Sequence, residues 1–259
     1  MKLLLKIAFD GSGFHGFQYQ PEMRTVQGTL TERFSALYGS PVKITGCSRT
    51  DSGVHARGFC VLLDTGASDV AIPVSKLHRA ANNILPHDVA VLAAAKAADD
   101  FHPRYSALGK EYRYEIRDRV TPDPFLSKRV LEIGKELSDG AVSRMNEAAG
   151  HFVGKHDFSA FMASGSKITD PVRCVTAAEV ARDERGLAVF RVAADGFLYN
   201  MVRIMTGTLL DVAEGRLSCR DIPGVIERGE RSGAGATVPP DGLYLERVFY
   251  PDVPSWEAD

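Results

Sequence analysis

Apolar residues recur along this chain in two periods, every second residue in some segments and every third or fourth in others. Such periods separate strands from helices. The opening run, Met1 to Phe9, is apolar but broken by Lys6, and reads as a strand. Thr25 then caps a helix whose positions Val26, Leu30, Phe34 and Leu37 keep helical spacing, with Gly39 as its stop. Val42 to Cys47 reads as a short strand, Phe59 to Asp64 as the strand that returns, a segment capped by Ser75 and running to Ile84 as a helix, and Val89 to Lys96 as another strand. The order is β-α-β-β-α-β, the split pattern of a ferredoxin-like unit.

The second half repeats this rhythm. Lys110 to Arg117 alternates as a strand, and Gly140 to Phe152 places Val142, Met145, Ala149 and Phe152 on one helical face. Strands follow at Val172 to Ala181 and Leu187 to Ala194, then a strongly amphipathic helix from about Tyr199 to Gly215. Ser218 can cap a further short helix, and Gly242 to Tyr250 closes the chain as a strand. The expected fold class is α+β: two ferredoxin-like halves related by a pseudo-twofold, an antiparallel sheet covered by helices, and an active-site cleft between the halves. The expected subdomains are residues 1–105 and 106–259, joined near Pro103 to Lys110. A ferredoxin-like sheet hosts many unrelated activities, so the pattern alone names none.

Composition narrows the classes. With 259 residues, 44% hydrophobic and 25% charged, the chain has the make-up of a soluble globular protein. Its formal net charge of −2 gives no global basic field, so a nucleic-acid partner would need positive charge gathered locally. Cys47, Cys60, Cys174 and Cys219 form no CxxC pair and no Cys/His cluster, which reads as free thiols in a reducing compartment and no metal site. The apolar start is too short and too charged for a signal peptide, and no run approaches the ~20 apolar residues of a membrane span. The expected location is the cytoplasm.

Four segments carry more chemistry than their structural task asks. The run CSRTDSGVHAR, Cys47 to Arg57, sets Asp51 among short polar residues and glycine, which mark a turn. Arg49 and the neighbouring hydroxyls would keep that carboxylate ionised, and His55 follows closely. The ordinary alternative is a loop aspartate bonded to its own backbone. The run FHPRYSALGKEYRYEI, Phe101 to Ile116, interleaves His102, Arg104, Tyr105, Lys110, Tyr112, Arg113 and Tyr114. An aromatic beside cations suits a stacked base with its phosphate held nearby; the alternative is a half-buried strand with cross-strand aromatic pairs. Arg203 interrupts an otherwise apolar helix, where a guanidinium either snorkels to water or pairs with a buried carboxylate such as Asp51. In ATVPPDGLYLERVFYP, Leu243 and Leu245 share a strand face and are core by default.

The G-x-G-x-x-G run from Gly11 to Gly16 follows a strand, yet no parallel β-α-β unit and no acidic partner accompany it, so a dinucleotide site is rejected. With Phe14, His15, Phe17 and Tyr19, this loop reads as a flexible surface for a polyanion. Lys6, Arg24, Arg57, Arg104, Lys110 and Arg113 are candidate backbone grips by charge and neighbourhood.

Taken in order, the motifs resemble those of the tRNA pseudouridine synthase A family over nearly the whole chain. They are DGSGFHGFQ (Asp10 to Gln18), RTDSGVHA (Arg49 to Ala56), FHPRYSALGKEYRY (Phe101 to Tyr114), HDF with a following Phe (His156 to Phe161), FLYNMVRIMTGTLL (Phe197 to Leu210) and GLYL (Gly242 to Leu245). The resemblance implies isomerisation of uridine to pseudouridine at positions 38, 39 and 40 of the tRNA anticodon arm. It implies Asp51 as the catalytic residue, Tyr112 stacked on the target uracil, and Arg203 paired with Asp51. Leu243 or Leu245 would line the pocket, while Arg49, His55, Arg104 and Lys110 fall in the motifs as substrate-binding candidates. It also implies a homodimer that binds tRNA across both subunits, with no metal and no cofactor. The chain departs from the commoner pattern at Cys47-Ser48, Ser52, Phe17 and Phe59-Cys60, none of which removes a catalytic group.

The chemistry agrees with the residues. Isomerisation breaks the bond between uracil N1 and ribose, turns the base and rebonds through C5. One carboxylate can do this by attacking ribose C1′ or uracil C6 and leaving at the end. No second carboxylate accompanies Asp51 in its motif, unlike the pair used in glycoside hydrolysis. Two rival readings remain: an RNA-binding module without chemistry, and an RNA glycosidase that would release free uracil.

Overall fold

Turn and cap residues set where the chain changes direction in this computed structural model, which describes residues 1–66, 68, 70–165, 168–251 and 256. After strand β1 (Lys2–Phe9) comes helix α1 (Val26–Tyr38), whose cap Thr25 accepts a hydrogen bond from the Gly28 amide. Gly39 ends it in the left-handed conformation at φ 63°, a position glycine takes without a β-carbon clash. Val26, Leu30, Phe34 and Tyr38 form its buried face; Tyr38 takes the place expected for Leu37, which is only half-buried.

Strands β2 (Lys43–Gly46) and β3 (His55–Asp64) follow. The latter begins four residues before the expected Phe59, because Ala56 already pairs with Phe9 of β1. Helix α2 (Val74–Asn82) is entered through Pro73 at the cap position with no side-chain capping bond, and Ser75 lies inside its first turn and does not cap it. Strand β4 (Val89–Lys96) is tied to the end of α2, where the Asn82 carboxamide bonds both the amide and the carbonyl of Val91.

Next come β5 (Gly109–Arg117), β6 (Leu131–Glu132), α3 (Asp139–Gly150), β7 (Gly154–Asp157), β8 (Val172–Arg182) and β9 (Ala188–Ala194). Helices α4 (Met201–Ala213) and α5 (Ile222–Arg228) precede the last strand, β10 (Leu243–Phe249). Ser218 caps a 3-10 turn leading into α5, and its own amide donates in return to the Asp221 carboxylate. β6 and β7 lay outside the sequence reading; β6, of two residues, is too short to show a period.

The chain forms two compact units, Met1–Leu108 with the chain from Tyr244 onward, and Gly109–Leu243. In the first, β4, β1, β3 and β2 lie side by side, every pair antiparallel, the strand order of a split β-α-β-β-α-β unit. β10 adds to the free end of β3 in parallel, Tyr244 opposite His55 and Leu245 opposite Ala56. In the second, β5, β9, β8 and β7 form an antiparallel run, and β6 pairs in parallel with the end of β5. Here β9 stands between β5 and β8 as the split pattern requires, with β7 as an added edge strand. The fold is therefore α+β. Leu3, Leu5, Phe34 and Phe59 are fully buried in the first unit, and Tyr114, Met145, Phe190 and Leu209 in the second.

The second unit encloses the Asp118 carboxylate almost completely. Asp118, 1% exposed, receives both Nη atoms of Arg182 at 3.0 and 2.8 Å and the Leu137 amide at 3.0 Å. Burial by itself would raise this carboxyl, but the bonds from Arg182 and Leu137 outweigh it and hold it below the usual carboxylate range. A depressed folded-state pKa contributes stability that is complete above the unfolded value of about 3.9 and is lost as pH falls through the folded one. Asp118→Asn should lower the unfolding free energy at pH 7 by roughly 1.5–3 kcal/mol, and its urea-unfolding profile should fall less steeply than the wild type's below pH 4. Parallel profiles would remove Asp118 from the acid sensitivity.

Candidate functional site

Asp51 stands in the turn that carries β2 into β3, half-buried, and its backbone carbonyl accepts from the Val54 amide at 3.2 Å. Gly53, at φ 80°, makes the reversal. The Gly-rich loop from Asp10 to Gln20 lies on this turn backbone to backbone. The Phe17 amide donates to the Thr50 carbonyl at 3.1 Å, and the Gly53 amide to the Phe14 carbonyl at 3.3 Å. A β-carbon on Gly11 would sit 2.0 Å from the Val54 oxygen, and one on Gly16 2.5 Å from the Thr50 oxygen. The loop thus clamps the Asp51 turn. Its aromatics divide accordingly: Phe14 and Phe17 are buried, Phe17 stacked on Phe59 at 4.5 Å, while His15 and Tyr19 are exposed. The surface expected for all four is therefore half interior, because the clamp needs apolar anchors.

His55 opens β3 with 1% exposure. Its Nδ1 accepts from the Gly11 amide at 3.0 Å, stands 3.2 Å from an Asp10 carboxylate oxygen, and its ring stacks on Tyr244 at 4.7 Å. The Arg57 guanidinium lies 4.4 Å from the same tyrosine ring. Leu245 is fully buried beside this pair, on β10. Arg49 and Arg104 are exposed, and Arg104 lies over the Tyr105 ring. Arg24 is held by both oxygens of Asp88, at 2.7 and 2.9 Å. Cys47 and Cys60 are buried and form no disulfide, and burial pushes the Cys60 thiol up to about 11.

The remaining candidates belong to the second unit. Tyr112, 7% exposed, faces Val192 across the ladder and meets the Phe197 ring edge-on at 4.9 Å. Tyr114 is core: it is buried opposite Phe190, its hydroxyl donates to the Pro239 carbonyl at 2.6 Å, and burial drives its phenol far above the usual value. The cross-strand alternative therefore describes Tyr114. Lys110 is half-buried at the start of β5, and Leu243 is buried. Arg113 lies between Glu115 at 2.6 Å and Asp183 at 2.8 Å, both of which also hold Arg185. Arg203 does not snorkel freely: its Nε donates to the Val238 carbonyl and its Nη1 to Asn200 Oδ1, each at 2.7 Å.

A cavity of about 330 Å³ in the second unit is lined by Arg117, Asp118, Arg119, Asp123 and Arg185 with Leu126 and Leu187, and by none of the predicted site residues. Two of its arginines are engaged by carboxylates, Arg117 by Glu132 and Arg185 by Glu115 and Asp183.

The family model described as tRNA pseudouridine synthase matches residues 6–106 and 148–251. The chain belongs to the tRNA pseudouridine synthase family. It is an isomerase by that membership. The tRNA pseudouridine synthase A of Ruminiclostridium cellulolyticum is 41% identical over 249 residues, covering 96% of this chain and 99% of the relative. That of Clostridium botulinum is 42% identical over 246 residues, with 95% and 98% covered. The Bacillus subtilis protein of the same name is 40% identical over 252 residues, with 96% and 99% covered.

Asn200, Val238, Asp10 and Tyr244 escaped the sequence reading. An asparagine before a helix looks like an ordinary cap, and a backbone carbonyl leaves no trace in a sequence. The clamp on the Asp51 turn is directly testable. Gly11→Ala should destabilise the folded state by about 1–3 kcal/mol and cut pseudouridine formation on the order of 100-fold through displacement of the turn, measured by urea unfolding and single-turnover kinetics. An alanine variant with unchanged turnover would show that the turn tolerates the shift.

Proposed function

We propose that this enzyme converts uridine to pseudouridine in tRNA, at positions 38, 39 and 40 of the anticodon stem-loop, with Asp51 as the nucleophile. The observation that carries the reading is the clamp on the Asp51 turn: a carboxylate on a turn held by direct backbone packing is aimed before any substrate arrives. The family membership supplies the reaction.

The chain's own residues meet what the reaction demands. At an ordinary value near 3.9, an aspartate is a carboxylate at neutral pH. Its oxygen bonds to ribose C1′ as the C1′–N1 bond breaks and N1 keeps the electron pair, or it adds to uracil C6 before the base leaves. The base then turns, C5 bonds to C1′, the carboxylate departs, C5 loses its proton and N1 gains one. No water is consumed, and substrate and product are isomers. A base taken out of its stack costs a few kcal/mol, and the Tyr112 ring is assigned as the platform that offsets part of it. Arg203 is assigned as the cation that keeps Asp51 ionised. Arg49, Arg104 and Lys110 are assigned to RNA phosphates, Leu243 and Leu245 to the pocket wall. His55, buried against Gly11 and Tyr244, acts in this reading by holding the loop. The working form is a cytoplasmic homodimer gripping one tRNA across both copies.

The test uses purified protein, an unmodified tRNA transcript and carbodiimide mapping of pseudouridine. Label should appear at positions 38 to 40. Asp51→Ala should lower kcat on the order of 10⁴-fold or more, and Arg203→Met should lose turnover while tRNA binding survives. Absence of product from the wild type on several tRNAs would sink the reading, and release of free uracil would replace it with a glycosidase.

A further inference from the structure

Asn200 precedes α4 in the left-handed conformation, φ 60° and ψ 11°. Among the described residues, only Glu22 and Lys128 share a positive φ without being glycine. That conformation costs an ordinary residue roughly 1–2 kcal/mol, and asparagine bears it best. An asparagine in this place usually turns its carboxamide onto the first amides of the helix. Here the side chain makes no capping bond. Its Oδ1 accepts from Arg203 Nη1 instead, at 2.7 Å.

The second acceptor on Arg203 is delivered with equal care. The Val238 carbonyl, 2.7 Å from Nε, sits on a segment pressed against α4. A β-carbon on Gly207 would lie 1.9 Å from the Ala236 oxygen, and one on Gly235 2.5 Å from the Gly207 carbonyl carbon. The Gly235 amide donates to Thr208 Oγ1 at 2.9 Å, and Arg231 bonds the Ala234 carbonyl and the Thr237 hydroxyl. All these groups belong to the second unit. Two acceptors on neighbouring donors of one planar guanidinium fix its plane, where one would leave it free to swing.

We infer that Asn200 is a positioning residue: with the Val238 carbonyl it holds the Arg203 guanidinium in one orientation for the Asp51 carboxylate. The inference rests on the proposed pairing of those two residues. It also accounts for the chemistry of the acceptors. Both are neutral oxygens, so they orient the arginine without cancelling the charge that Asp51 needs; a carboxylate at position 200 would compete for it.

Two variants test this, with kcat, KM, the pH profile of kcat and the melting temperature as readouts. Asn200→Gly keeps the left-handed backbone and removes the acceptor. It should lower kcat on the order of 10- to 100-fold, leave KM for tRNA within about 3-fold of wild type, and move the acid limb of the profile to higher pH, because a loosened cation favours ionised Asp51 less. Asn200→Asp keeps both backbone and oxygen but adds a charge. It should melt like wild type and still raise the acid limb, so it carries the test alone if the glycine variant does not fold. Folded variants with wild-type kcat and pH profile, or a loss confined to KM, would overturn the inference while leaving the proposed function standing. An Arg203→Met enzyme of full activity would overturn the pairing beneath it, and a wild type that makes no pseudouridine would overturn the function itself.

Discussion

Gly11 and Gly16 let one backbone lie directly on another. The β-carbons they lack would stand 2.0 Å from the Val54 oxygen and 2.5 Å from the Thr50 oxygen, closer than any side chain allows. The Asp51 turn therefore has no slack against the loop before it. His55 closes the arrangement from the interior, accepting the Gly11 amide from the first residue of β3, so that strand, loop and turn share one geometry. A loop that carries chemistry on a rigid support is the usual division of labour in enzymes, and the support here is main chain, which cannot change rotamer.

The second unit uses the same device. Gly207 and Gly235 let the segment around Ala236 settle on α4, and that contact carries the Val238 carbonyl to Arg203. A guanidinium held by fixed dipoles needs little reorganisation when charge develops near it, which is where electrostatic catalysis gains most. In both units a charged side chain with a proposed chemical role stands beside a backbone contact that only glycine permits.

Charge is distributed by the same economy. A net charge of −2 hides a division between cations that serve the fold and cations that face solvent. Arg24, Arg113, Arg182 and Arg185 meet carboxylates within their own units. The exposed pair of Arg24 and Asp88 adds little to stability, whereas the enclosed Asp118 would be costly to leave without Arg182. Arg49 and Arg104 stand exposed.

Periodicity made most elements legible, since strands and helices of seven or more residues repeat their pattern several times: β4 and α1 lie where alternation and caps set them. Shorter pieces such as β6 were invisible, and β3 began early because pairing with β1, not composition, decided its start. For the proposed site, the chain's motifs alone determined which residue types were present and in what order, including Asp51, Tyr112 and Arg203. Tertiary structure decided what holds them. His55 beneath the turn, Asn200 turned from capping to clamping, and the Val238 carbonyl on Arg203 all depend on contacts between residues far apart in the chain or on φ/ψ choices a letter does not encode. Sequence records side-chain identity; orientation comes from close packing, and close packing exists only once the chain has folded.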